Sequence, residues 1–346
     1  MLSSVEVTSR VGYAQVIGSA SGGAANAGWF GDGRDGDLYV ADGKTLSLDV
    51  ALDKGQIVKQ YKSGYIGTGS LLTAANRCNG MVLLFSGDLT VKGTISMDKK
   101  APLLNPMEEQ CAAEVHVALC GGLQGGNGGA GSTIISGTEY GAPGSGGIGF
   151  AFGGGYGGGG GATNYYGAAY KGGDAEPRAP IGTSIPFYGE VNNAMYGAGG
   201  ASVYSDYTGS YPALGGSMPG GSGAYSGYDS PNVVRWNGND GDAYGGGLIV
   251  IYVRGRLTIA GSGKISANGG NGANGLNVGG YKTPAGGAGG GGIVAIVHNG
   301  DYTNSGSVTA NGGTGGTSAY PTAFANGDNG SIGTVIITTL ADLLAK

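Results

Sequence analysis

The residues able to do chemistry in this chain are few and unevenly placed. "GDGRDGD" brings Asp32, Asp35 and Asp37 together, and "NGNDGD" repeats the pattern with Asp240 and Asp242. Carboxylates at that spacing around glycine can offer oxygen ligands to calcium. The twelfth-position Glu of an EF-hand loop is missing, however, and Asp-Gly is also ordinary turn chemistry. Calcium at Asp32, Asp35 and Asp37 is therefore left open, and the expectation is turns without a metal. Histidine is limited to His116 and His298, which leaves no His-based zinc site or triad. Glu108, Glu109 and Glu114 fall on one predicted helix and do not pair across a cleft. The glycine runs lack the Lys-Ser/Thr of a phosphate loop. No enzyme motif and no cofactor is expected.

The composition narrows the classes further. In 346 residues there are 81 glycines, yet 40% of residues are apolar, so the chain can bury a core and disorder is not the default. Charged residues make up 12% and the net charge is −5, which gives no basic patch to neutralise nucleic-acid phosphates. No apolar run is long enough to span a bilayer, and "MLSSVEVTSR" has neither the basic nor the apolar region of a secretory signal. Cys78, Cys111 and Cys120 do not make a disulfide framework. The last two share the predicted helix, where nine residues set them roughly 13 Å apart, too far to bridge. Reduced, buried thiols are expected. A chain made in the cytoplasm thus has the composition of an extracellular surface protein, as something assembled inside a cell and released later would.

The elements that must position these residues are strands. The expected class is all-β: repeated strand–turn–strand units in a β-solenoid-like or β-sandwich architecture, with glycine-rich segments and one short helix near 106–120. Four regions are read: an N-terminal β region over 1–75, a first repeat copy plus helix over 76–120, a Gly/Tyr-rich insertion over 121–247, and further copies with a short C-terminal helical turn over 248–346. In "LYVADGKTLSL", Asp42-Gly43 between two strand-like runs predicts a hairpin. Asn105 as N-cap, Pro106 at the first helical position, and Met107, Cys111 and Val115 at every fourth residue predict the helix. "MVLLFSGDLTVKGTIS", "IVIYVRGRLTIAGSGKISANGGNG" and "VAIVHNGDYTNSGSVTANGGTG" are copies of one unit, with "TVIITTL" closing the series. The alignment makes Leu89, Leu257 and Tyr302 equivalent, and likewise Gly93, Gly261 and Gly306. The first strand of each copy is apolar throughout and should be buried on both faces. Recurrence of a unit that cannot bury its own face points to stacking.

The glycine runs return repeatedly after these strands: "GGLQGGNGGAG", "NGGNGANG", "AGGAGGGG" and "NGGTGGT". Many read as G-G-x triplets, and a period of three matches an extended polyproline-II-type helix. Segments such as "GGGYGGGGG" at 153–161 are therefore expected to be packed, poly-glycine II-like scaffold, although flexible linkers share the composition. The insertion is nearly uncharged between Val115 and Gly172 and dense in tyrosine among Gly, Ser and Asn, the composition of antibody paratopes. Tyr165, Tyr166, Tyr170, Tyr204, Tyr207, Tyr211, Tyr225 and Tyr228 are the candidate binding residues. Packing on glycine backbone is the competing role for any one of them.

"GDGRDGDLYV", "LTVKGTIS" and "GGGLIVIYVRGRLTIAGSGKISANGGNGANG" together resemble the glycine-rich tail-fibre and receptor-binding proteins of bacteriophages and prophages, including tail-tip adhesins that present loops from a poly-glycine II sandwich. The resemblance covers most of the chain after Gly31 and carries no residue-by-residue site. It implies a non-enzymatic virion protein, assembled in the host cytoplasm and acting outside, that binds a bacterial surface glycan or protein receptor. Other virion tail proteins would be partners, and a homo-oligomer, most simply a trimer, would supply avidity. The alternatives are a glycine-rich structural or decoration protein without a receptor role and, less well supported, a β-helix polysaccharide depolymerase.

Overall fold

The computed structural model describes residues 27–53, 55–78, 80–101, 242–278, 281–282, 285–318 and 326–344, with four short strands inside the insertion. The predicted helix over 106–120, with Cys111, Cys120 and His116, lies outside these residues, and so does 153–161. Among the described residues strands dominate, and helix is confined to a 3-10 turn at Ala27–Phe30 and a short helix at Leu340–Leu344.

The chain opens with β1 (Leu38–Val40), β2 (Thr45–Leu48), β3 (Ile57–Tyr61), β4 (Gly64–Ile66), β5 (Leu71–Ala74), β6 (Met81–Phe85), β7 (Leu89–Val91) and β8 (Thr94–Ser96). In the insertion, β9 (Ala162–Thr163) pairs antiparallel with β10 (Ala169–Tyr170), and β11 (Tyr225–Asp229) with β12 (Asn232–Trp236). Then follow β13 (Leu248–Val253), β14 (Leu257–Ile259), β15 (Lys264–Ser266), an antiparallel pair β16 (Asn277–Val278) and β17 (Tyr281–Lys282), β18 (Ile293–His298), β19 (Tyr302–Asn304), β20 (Ser307–Thr309) and β21 (Thr334–Thr339).

Three five-stranded sheets carry the architecture, in the orders β1-β4-β7-β14-β19, β2-β5-β8-β15-β20 and β3-β6-β13-β18-β21. Every pairing in them is parallel. The chain visits the first, second and third sheet in turn and repeats the visit five times, each set of three strands forming one rung. None of these sheets closes into a barrel. The expected hairpin at Asp42-Gly43 is overturned, because β1 and β2 belong to different sheets and each pairs with the next rung. Gly43 does take the positive φ of a turn (67°), but the turn is a corner: Asp42 Oδ1 accepts the N–H of Thr68 one rung on, and Gly43 N–H donates to the Thr68 carbonyl. A hairpin turn and a corner both need Asp-Gly, so the dipeptide does not separate them.

The pairing sets Leu89, Leu257 and Tyr302 side by side. It corrects the glycine alignment: Gly263, not Gly261, stands between Gly93 and Gly306, since Lys264 pairs with Thr94 and Ser307. The corner "AGSG" is two residues longer than those of the two adjacent rungs, 92–93 and 305–306, and at Gly261 an added Cβ would meet only the Ser305 carbonyl at 3.9 Å. A Cβ at Gly93, Gly263 or Gly306 would collide with the carbonyl of Gly67, Val91 or Gly263 respectively.

The three central strands of the third sheet, β6, β13 and β18, are buried on both faces, as their unbroken apolar sequences require. Met81, Leu83, Phe85, Ile249, Ile251, Val253, Val294 and Ile296 point into the main core, together with Leu89, Ile95, Leu257 and Ile265 from the other two sheets. The alternate residues Val82, Leu84, Leu248, Val250, Tyr252, Ile293 and Val297 form a second cluster outside, covered by Trp29 and Phe30 of the 3-10 turn and by Leu340 and Leu343 of the last helix. Trp29 stacks on Tyr252 at 6.1 Å between ring centroids. At about 1.5–3 kcal/mol per buried large apolar side chain, this two-faced sheet is the largest source of stability.

The described glycine-rich segments lie at one place in the rung, the connection from the second sheet to the third. In the first two rungs that connection is short, at 49–56 and 75–80; in the last three it becomes an arm. The outgoing limbs are 97–101, 267–275 and 310–318, and the returning limbs are 242–247, 285–292 and 326–333. Their backbone bonds recur every third residue. Gly269, Gly272 and Gly275 donate to Asn311, Thr314 and Thr317 of the next outgoing limb. Gly286, Gly289 and Gly292 donate to Ala273, Gly270 and Ala267, joining an arm's two limbs antiparallel; Gly327, Gly330 and Gly333 do the same to Gly316, Gly313 and Ala310. Gly313 and Gly316 donate across to Gly289 and Gly286. Asparagine side chains add a second ladder with the same period: Asn268, Asn271 and Asn274 Oδ1 accept the N–H groups of Asn311, Thr314 and Thr317, each 43 residues on, at 2.8–2.9 Å. Glycine is required because neighbouring limbs touch through backbone alone; a Cβ at Gly289, Gly313 or Gly330 would meet the carbonyl of Tyr244, Gly270 or Gly289.

Candidate functional site

Two places gather residues able to recognise something: the far ends of the arms and the groove where the arms begin. Because outgoing limbs bond one another in parallel, their turning points lie at one end. The β16–β17 hairpin lies at the turn of the second arm; residues 319–325, which join the limbs of the third arm, and 102–241, which join those of the first, lie outside the described residues apart from the four short strands β9 to β12. The insertion's root is tied down, with Ala101 N–H donating to the Gly245 carbonyl and Gly247 N–H to that of Met97.

Of the candidate tyrosines, Tyr170 lies in β10 opposite Ala162, and Tyr225 and Tyr228 lie in β11 opposite Trp236 and Val233. The two hairpins are separate two-stranded sheets, so no sheet unites these three tyrosines. Tyr165, Tyr166, Tyr204, Tyr207 and Tyr211 lie outside the described residues.

The aspartates of "GDGRDGD" spend their oxygens on the protein. Asp35 Oδ2 accepts the N–H of Gln60 at 2.6 Å while Asp35 N–H donates to the Gln60 carbonyl, which satisfies the edge of β3. Asp37 Oδ1 accepts from the Ser63 hydroxyl at 2.8 Å. Asp32 binds the Arg34 side chain and backbone, and these bonds hold its carboxyl below the usual range. The motif caps an edge that would otherwise be open. Among the described residues no group of three or more His, Cys, Asp or Glu side chains could hold a metal ion. Cys78 is a free, buried thiol whose pKa burial raises, and His298 stacks on Tyr302 with its Nδ1 2.9 Å from the Gly300 carbonyl.

The groove is formed by the step between the short second-rung connection and the first arm. It has a volume of about 300 Å³ and is lined by Leu52, Asn76, Arg77, Lys99, Lys100 and Tyr244 among others. Arg77 makes a two-pronged pair with Asp53, Nε to Oδ1 and Nη2 to Oδ2, both at 2.8 Å, and its guanidinium lies 4.3 Å from the Tyr244 ring centroid. Lys99 pairs with Asp242. Asp98 accepts from the backbone N–H of Asn268 at 2.6 Å and from the Ser266 hydroxyl at 3.0 Å. Lys100 Nζ donates to the Ala75 carbonyl at 3.3 Å and meets no carboxylate within ion-pair distance among the described residues. Burial lowers its pKa, and the nearby Arg77 charge pushes the same way. Sequence reasoning passed over this site. Its one signal was "DKK" at 98–100, the last basic pair before a long, almost uncharged stretch.

No protein-family model matches this chain, and neither the curated proteins nor the solved structures include a match to it.

Proposed function

We propose that this chain is a virion tail-fibre or tail-tip adhesin subunit, built as a three-walled β-solenoid that carries a poly-glycine II lattice and binds a bacterial surface receptor through the ends of its arms. The observation that carries the reading is the common direction of the arms. Three successive rungs extend backbone-bonded limbs one way, and the longest, most tyrosine-rich segment of the sequence is inserted between the two limbs of the first arm. A rigid scaffold that holds variable loops at one end suits recognition. Rings among Gly, Ser and Asn offer contact area at low entropic cost, and with so little charge the affinity must come from contact. The solenoid reading rests on the fivefold visit to three parallel sheets, and the lattice reading on the three-residue bonding period.

The test is adsorption. Labelled full-length protein is applied to a panel of bacterial cells, alongside variants with Tyr204, Tyr207 and Tyr211, or Tyr165, Tyr166 and Tyr170, changed together to Ala. The adhesin reading expects saturable binding to some strains, lost in one triple variant with unchanged melting. Absence of binding across the panel would favour a structural or decoration role. Loss of folding in both variants would make the rings core.

A further inference from the structure

The groove at the root of the arms has features of a ligand site that neither the arms nor the solenoid core needs. Its volume, about 300 Å³, is at the small end of the range for small-molecule sites. Its two lining carboxylates are already engaged, Asp242 by Lys99 and Asp98 by Ser266 and the Asn268 amide, and its Arg77 is paired with Asp53. Lys100 is the exception among the cations. An ammonium has three donors, and the one bond found for Lys100 is to a carbonyl, at 3.3 Å. A partly buried ammonium without a counter-ion is costly, and an incoming anion recovers that cost.

The surroundings define what else the ligand carries. Leu52 stands at the lip with 52% of its surface exposed, an apolar contact with nothing yet to cover. Asn76 also lines the groove; its Nδ2 donates to the Val50 carbonyl, and its amide oxygen is an acceptor a hydroxyl can use. One unmatched cation beside two carboxylates, Asp98 and Asp242, suits a single negative charge better than a doubly charged phosphate. A singly charged group, a hydroxyl to donate and an apolar face, within so small a volume, describe a carboxylated sugar ring.

We propose that this groove binds a hexuronate-type sugar, with its carboxylate on Lys100 Nζ, a ring hydroxyl on Asn76 and its apolar face on Leu52. The groove borders the root of the insertion, where Lys99 pairs with Asp242, and the proposal does not rest on a receptor role for the insertion's loops. An acidic polysaccharide would thereby be held at the base of the arms.

The test is titration of the full chain, followed by saturation-transfer NMR and calorimetry, with sodium glucuronate, glucose and sodium acetate as probes. Glucuronate should bind in the millimolar range and at least about tenfold more tightly than either glucose or acetate. Lys100→Met, which keeps the aliphatic stem, should cut glucuronate affinity about tenfold without changing the melting temperature. Because a groove variant can fail to fold, Leu52→Ser on the exposed lip is the second variant; it should weaken glucuronate and leave acetate unchanged. Equal binding of glucose and glucuronate would overturn the assignment of Lys100. Equal binding of acetate and glucuronate would overturn the sugar. No detectable binding, or full binding in both variants, would overturn the site.

Discussion

The sheet stack and the arms are built from the same rungs by opposite means. In the stack, side chains do the packing: Ile251 is fully buried between Leu83 and Ile296 on its neighbouring strands. In the arms the backbone packs on itself, and Gly270, Gly289 and Gly313 lie against the carbonyls of adjacent limbs with no side chain between. Stack stability comes from apolar area and is spread over many residues. Arm stability comes from directional bonds at a fixed period, set against the large entropy glycine loses on ordering. Substitutions should therefore fail differently in the two regions. In the stack what matters is polarity and volume; at the arm glycines that face a neighbouring carbonyl even one methyl group is too many.

The sharpest break falls in the stack. Ile251→Asp would bury an unpaired carboxylate in the main core, and a loss of more than about 4 kcal/mol is expected; the variant should be insoluble or lack a cooperative melt. Next comes the arm lattice. Gly313→Ala places a methyl against the Gly270 carbonyl and should cost about 3 kcal/mol, whereas Gly261→Ala, on an open corner, should stay within about 0.5 kcal/mol by denaturant melting. If both alanines are harmless, the limbs are not in backbone contact.

A pH experiment isolates the stack. Burial, with the charge of Asp35 adding to it, pushes the Tyr61 hydroxyl from 10.0 up to about 12. Between those values the unfolded chain has lost the proton that the folded chain still holds. Tyr61 thus contributes stability that is complete below pH 10 and is lost as pH rises toward 12, by about 2–3 kcal/mol in all. Tyr61→Phe should remove that part of the alkaline loss. The smallest effect belongs to the asparagine ladder. Asn271→Ala removes the acceptor for the Thr314 amide at a cost of about 1 kcal/mol, and Asn271→Asp, which keeps an acceptor oxygen, should restore most of it.

The same contrast explains what could be read from the residues. The third sheet announced itself through "MVLLF", "LIVIYV" and "IVAIV", because a strand buried on both faces has no polar positions. The equivalence of Leu89, Leu257 and Tyr302 followed from the Thr after each. The first two rungs were hidden: β4 begins at Gly64 and lacks the Leu-Thr pair, and Asp42-Gly43 imitates a hairpin because a corner needs the same positive φ. Gly261 was matched in place of Gly263 because composition does not show which glycine faces a neighbouring carbonyl. The groove was illegible for a different reason. Lys99 and Asp242 meet across 143 residues of sequence, and only the return of the insertion to its root brings them together.

Amide hydrogen exchange in the folded protein tests the ordered arms most directly. Gly289, Gly313 and Gly330 each donate an inter-limb bond at 2.8–3.0 Å. Their amides should exchange orders of magnitude more slowly than an unstructured glycine, and within reach of Ile251 in the stack. Exchange at the unstructured rate in all three, while Ile251 stays protected, would contradict the lattice and reduce the arms to tethers.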